Sequence, residues 1–108
     1  MAEFVRGDVV VVPSPFSDLT QAKRRPALVI ATLEGDDVIL CQITSKTVRD
    51  KYSITHFETG SLKQSSNIRP NRIFTADSHI IFYRIGKLKT EKLSEVVDKA
   101  SEIIRGET

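Results

Sequence analysis

Hydrophobic positions along the chain follow two different periods. Gly7-Asp8-Val9-Val10-Val11-Val12 reads as a β-branched strand, with Gly7 and Asp8 as its turn and Pro13 as its stop. Its unbroken valines require cover on both faces. Pro26 to Thr32 is a second apolar strand, Glu34-Gly35-Asp36 a turn, and Asp37 to Thr44 a third strand, so the pair forms a hairpin. Counted from the turn centre near Gly35, Arg25 lies ten positions back and Thr44 nine positions ahead, which brings an arginine and a hydroxyl together across the ladder. Tyr52 to Phe57 is a fourth strand by its β-branched and aromatic content. Asn67 to Ala76 reads as extended but interrupted at Pro70, hence an edge or bulged strand. His79 to Gly86 fits either a strand or a connector.

The period changes near the end. Leu93, Val96, Val97, Ala100, Ile103 and Ile104 recur at helical spacing, with Thr90 as the expected N-cap and Gly106 as the stop. One amphipathic helix closes the chain, its charged residues facing solvent. No repeat or second domain is visible, and the reading is a single domain over residues 1–108.

Composition narrows the classes without choosing among them. Forty per cent apolar and 28% charged residues are globular values, and no apolar run reaches the length of a membrane span. Without a signal-like N-terminus, the expected location is cytoplasmic. The single cysteine, Cys41, cannot form an internal disulfide and lies among apolar strand residues, as a packed thiol does. Net charge is only +2, but the cations gather in the middle of the chain and at Lys23-Arg24-Arg25, with no acid between residues 59 and 76. That arrangement suits a polyanion.

Pro26 fixes its own φ and biases Arg25 toward extended geometry, so Arg25 is mounted at the mouth of a strand. His56 and His79 are far apart and lack carboxylate or cysteine companions at ligand spacing, so the reading calls for no metal and no cofactor. No Gly-x-Ser-x-Gly supports a serine nucleophile. What remains is a set of cations, hydroxyls and amides: Lys23, Arg24, Arg25, Thr44, Ser45, Lys46, Arg69 and Asn71. Guanidinium groups grip phosphate bidentately, and hydroxyls and amides contact phosphate oxygens or base edges. Such a set can bind nucleic acid. It can also cleave RNA without a metal, because the ribose 2′-hydroxyl is a built-in nucleophile.

Gly7-Asp8-Val9-Val10, Pro15-Phe16-Ser17-Asp18-Leu19, Arg25-Pro26-Ala27-Leu28-Val29, Gln42-Ile43-Thr44-Ser45, Ser66 through Ile73 and Ile85-Gly86-Lys87-Leu88, in this order, resemble the MazF/PemK family of toxin endoribonucleases. The resemblance spans nearly the whole chain. It implies a mainly β fold with one helix, an SH3-like antiparallel β-barrel closed by a C-terminal amphipathic helix. It implies a homodimer, sequence-selective cleavage of single-stranded RNA to 2′,3′-cyclic phosphate and 5′-hydroxyl ends, and a MazE- or PemI-like antitoxin that blocks the RNA groove. Carried over by position, the catalytic residues fall on Arg25 and Thr44, with Phe16, Lys23, Arg24, Ser45, Lys46, Arg69 and Asn71 around the substrate. Some plasmid-borne relatives place an aspartate two residues after the arginine matching Arg69 and a histidine before Arg-Pro. Here the first position is Asn71 and residues 13–24 hold no histidine, so the general base is left unassigned. Two other functions fit the same fold: a non-catalytic nucleic-acid or antitoxin-binding module, and a gyrase-inhibiting toxin. Relatives of the latter kind use a C-terminal tryptophan, and this chain has none.

Overall fold

The computed structural model describes residues 4–13, 24–44, 66–107 and, for the backbone, 54–57. Six strands form one antiparallel sheet: β1 (Asp8–Pro13), β2 (Arg24–Thr32), β3 (Asp37–Thr44), β4 (Ile54–Phe57), β5 (Ser66–Asp77) and β6 (Tyr83–Lys87). Their spatial order is β4-β5-β3-β2-β1-β6, and α1 (Thr90–Arg105) follows β6. This is the mainly β, SH3-like barrel architecture with a C-terminal helix.

The run of valines in β1 behaves as its sequence requires. Val9 joins a core of Leu28, Cys41, Ile43, Ile68, Leu88 and Val96, against which Leu93 of α1 also packs. Val10 and Val12 point the other way, into a second core of Ala27, Val29, Val38, Leu40 and Ile81, with Phe4 and Phe74 beside it. Both faces of the central strands are therefore apolar over much of their length, and alternation along each strand sorts residues between them.

The hairpin register explains the uneven count across the turn. Ala27 pairs with Gln42, Leu28 with Cys41 and Val29 with Leu40, then the register slips by one residue before Ala31 pairs with Ile39. The extra residue, Ile30, absorbs the difference between ten positions and nine. Gly35 makes the turn at φ 78°, where a side chain would be strained.

Two expectations need adjustment, for the start of β2 and the helix cap, and two open alternatives, for β5 and for the segment before the helix, are decided. β2 begins at Arg24, not at Pro26: Pro26, Arg25 and Arg24 continue the ladder opposite Val11, Val12 and Pro13. Arg25 is thus inside a paired strand and not at its mouth. β5 is not an edge, since β4 pairs with its far side; Pro70 is accommodated by a bulge. The segment left undecided divides into a 3-10 turn over Ser78–Ile80 and the strand β6. At the helix start the cap is Lys89, which makes no side-chain capping bond, and Thr90 is already helical.

The helix end matches its sequence. Gly106 takes φ 75°, its N–H donates to Ile103 O at 3.1 Å, and Glu107 N–H donates to Glu102 O at 2.9 Å, the paired bonds of a Schellman cap. Val96 and Ala100 are buried, but Ile104 is 75% exposed, so the apolar stripe outruns the sheet that covers its start.

Gly7-Asp8 ties the N-terminal lead to the sheet. Gly7, at φ 95°, donates its N–H to Val29 O and accepts from Leu88 N–H, both at 2.8 Å. Asp8 is fully buried; its Oδ2 accepts from Val5 N–H at 2.9 Å and lies 3.4 Å from Arg84 Nη1.

Candidate functional site

The β2–β3 and β3–β5 registers build the site row by row. Gln42 of β3 is flanked by Ala27 on β2 and Arg69 on β5. The β2–β3 pairing ends at Ala27–Gln42; continued two residues along both strands it would set Arg25 across from Thr44, and Thr44 pairs with Asn67 on its other side. Val12 of β1 lies opposite Arg25. Side chains of opposed residues share a face, with Cβ atoms about 5 Å apart. One row therefore reads Val12, Arg25, Thr44, Asn67, and the next reads Val10, Ala27, Gln42, Arg69.

These rows lie on the face that carries the second core. Val29, Leu40 and Val38 fill it toward the β2–β3 turn, and the polar residues replace them toward the end of β3. Arg25, Thr44, Gln42, Asn67 and Arg69 are all half-buried, so their polar groups stand at the boundary between core and solvent. Two of the strands present an arginine there immediately before a proline, Arg25-Pro26 and Arg69-Pro70, and each proline restricts its predecessor to extended backbone.

A local device sets the position of Arg69. The β3–β5 register jumps between Cys41, paired with Ile73, and Gln42, paired with Arg69, so that Pro70, Asn71 and Arg72 form a three-residue bulge. Pro70 is buried while Asn71 and Arg72 are exposed. Cys41 Sγ donates to Arg69 O at 2.9 Å, closing the bulge at its base. Burial pushes the Cys41 thiol up to about 12, and the bond to Arg69 O only partly opposes that. Cys41 is a structural hydrogen-bond donor.

Arg24 and Arg25 part company. As consecutive strand residues they point to opposite faces. Arg24 is exposed, and its guanidinium stacks 4.4 Å from the centroid of the Phe82 ring. Phe82 is fixed there by its N–H bond to Val11 O at 2.9 Å. Arg25 alone joins Thr44.

Charge is segregated along the sheet. Glu34, Asp36, Asp37 and Asp77 cluster at the β2–β3 turn, where Asp37 lies directly opposite Asp77. The backbone N–H of His79, and then its ring, hold the Asp77 carboxyl below the usual carboxylate range. Thr44 lies seven residue steps along β3 from Asp37, about 23 Å at the usual rise. That exceeds two screening lengths at physiological salt, so the cationic end is little affected by the acidic one.

The structure thus brings Arg25, Thr44 and Arg69 to one face, with Asn71 in the adjoining bulge, and sends Arg24 to the other face. Phe16, Lys23, Ser45 and Lys46 lie outside the described residues. Gln42 and Asn67 belong to the same rows, although the sequence reading does not single them out. Stepping by two from Thr44 along its strand would have found Gln42.

Comparison with known proteins now becomes informative. The family model described as the PemK-like, MazF-like toxin of type II toxin–antitoxin systems matches residues 5–104. The chain belongs to that toxin family. No curated protein sequence matches it. Among solved structures it is similar to MazF from Deinococcus radiodurans, at 20% identity and a TM-score of 0.75, covering 93% of this chain and 94% of that one. A MazE–MazF structure from the same organism matches at 19% identity and a TM-score of 0.72, covering 93% of both chains. An endoribonuclease in complex with its cognate antitoxin, from a mycobacterial species, matches at 12% identity and a TM-score of 0.74, again covering 93% of both. At these identities the likeness establishes the toxin fold. Among the described residues no helix is long and apolar enough to cross a membrane.

Proposed function

We propose that this toxin is a metal-independent endoribonuclease that cleaves single-stranded RNA at the row containing Arg25 and Thr44. The observation that carries the reading is that Arg25 and Thr44, both half-buried, each lie two residues beyond the last β2–β3 pair, Ala27–Gln42, at the polar end of an otherwise apolar face. The neighbours described as an endoribonuclease bound to its antitoxin and as MazE–MazF agree with it.

The chemistry follows from those groups. The 2′-oxygen of one ribose attacks the adjacent phosphorus, the bond from phosphorus to the 5′-oxygen breaks, and the products are a 2′,3′-cyclic phosphate and a 5′-hydroxyl. Arg25 stabilises the charge on the pentavalent phosphorane and delivers a proton to the departing 5′-oxygen, regaining it from solvent. Thr44 holds a phosphate oxygen so that the attack is in line. The 2′-hydroxyl proton leaves to a base that the described residues do not identify; Asn71 cannot serve. Arg69 binds a flanking phosphate, and Asn71, Phe16, Lys23, Ser45 and Lys46 contact the RNA around it, while Arg24, on the opposite face over Phe82, stands outside this groove.

The same reading takes the chain as one domain over residues 1–108 acting in the cytoplasm as a homodimer, held inactive by a MazE- or PemI-like antitoxin lying in the RNA groove. The test is incubation of the purified toxin with mixed-sequence single-stranded RNA in EDTA. Cyclic-phosphate products with the wild type and none with Arg25→Ala support the reading; intact RNA, or equal cleavage by both, overturns it. Binding that weakens steeply with salt but yields no product would identify a non-catalytic binding module instead.

A further inference from the structure

Between Val38 and Ile43 the interior of β3 is apolar except at Gln42, apart from the packed thiol of Cys41. A glutamine there needs a reason. On its β2 side it faces Ala27, which offers no polar group, and on its β5 side it faces Arg69. Gln42 Oε1 is buried and accepts no hydrogen bond among the described residues. A buried amide oxygen without a donor is costly, and a functional partner that arrives with the substrate is one way a native structure retains it.

Arg69 is the side chain placed to supply it. Its backbone is fixed by the Cys41 Sγ bond to its carbonyl, by Pro70 after it, and by the bulge that begins there. Its guanidinium is planar and rich in donors, and its Nε is buried and, like Gln42 Oε1, makes no hydrogen bond among the described residues. Laterally paired Cβ atoms lie about 5 Å apart, well within reach of both side chains.

We propose that Gln42 is the positioning residue for Arg69: when RNA draws the guanidinium over the groove, Gln42 Oε1 accepts one of its N–H groups and orients the remaining ones toward phosphate. This rests on the RNA-cleavage reading above. Gln42 touches no reacting atom; by accepting from the guanidinium it aligns the fork toward phosphate, so its loss weakens substrate binding and leaves the chemical step at Arg25 and Thr44 largely intact.

A double-mutant cycle tests this on the full chain, with kcat and KM measured on a single-stranded RNA substrate. Gln42→Met keeps the side-chain length and removes the acceptor. The expected result is a KM raised about tenfold with kcat within about threefold, the size of one hydrogen bond to a charged group. In the Arg69→Ala background the same substitution should change KM less than twofold, and thermal melting of Gln42→Met should stay within a few degrees of wild type. An equal factor in both backgrounds, or a fall in kcat alone, overturns the positioning role while leaving the nuclease reading in place. A melting temperature well below wild type assigns Gln42 to folding and overturns it too. Wild-type protein that neither binds nor cleaves RNA defeats the underlying reading and this inference together.

Discussion

Asp8 makes the sharpest test of how the Gly-Asp turn is held. Its carboxylate is fully buried, with Oδ2 accepting from Val5 N–H at 2.9 Å and lying 3.4 Å from Arg84 Nη1. A hydrogen bond to a charged acceptor contributes about 1.5–3 kcal/mol. The ion pair adds little, because the Arg84 side chain is 54% exposed and such pairs contribute at most about 1 kcal/mol. Burying the carboxylate opposes both contributions. Asp8→Ala removes the acceptor and should cost about 2 kcal/mol, lowering the melting temperature by about 8–16 °C for a domain of this size. Asp8→Asn keeps an oxygen for Val5 N–H and relieves the buried charge, so its cost should be below about 1 kcal/mol. Urea and thermal denaturation of the three proteins at neutral pH measure this. If Asp8→Ala lies within about 0.5 kcal/mol of wild type, the turn does not depend on the carboxylate. If Asp8→Asn is as unstable as Asp8→Ala, charge matters and acceptor geometry does not.

Other outcomes follow from the same structure. Native Cys41 should resist thiol reagents at neutral pH and react fully on unfolding. Because its folded-state pKa is raised above the ordinary thiol value, to about 12, its stabilising contribution is complete below about pH 9 and is lost as pH rises toward 12; Cys41→Ser should flatten that alkaline loss in a pH series of melting temperatures. Leu28→Ala, at a fully buried position in the core beneath the helix, should cost about 3–5 kcal/mol by denaturation. Phe82→Leu removes the ring beneath Arg24 and should lower stability by about 0.5–1 kcal/mol in the same assay, since the cation is solvent-exposed.

Much of the fold was legible because its signals are local. The valines of β1, the turn at Gly35 and the helical spacing from Leu93 each report a period or a backbone requirement that a short window contains. The hairpin that carries Arg25 and Thr44 was legible for the same reason, being a count across one turn. What escaped depends on partners distant in sequence. Pro70 marked either an edge or a bulge in β5; only the pairing of β4 with that strand excludes the edge, and only the register against β3 shows that the bulge takes three residues. Lys23-Arg24-Arg25 read as one basic cluster; the ladder to β1 extends β2 back through Arg24 and thereby turns Arg24 and Arg25 to opposite faces. Gln42 was hidden among apolar neighbours, and its partner Arg69 lies 27 positions further along the chain. Thr90 was a sound capping residue by type, yet the turn leading from β6 lets Lys89 end the extended backbone one position earlier.

If Arg25 and Thr44 act as one unit on RNA, single and double substitutions compared under single-turnover conditions in EDTA will show it. Arg25→Ala and Thr44→Val should each slow cleavage by about 100-fold or more, with the double variant scarcely slower than the worse single one, as groups that serve one transition state behave. Independent, multiplying losses, or a Thr44→Val enzyme that cleaves at the wild-type rate, would contradict the account.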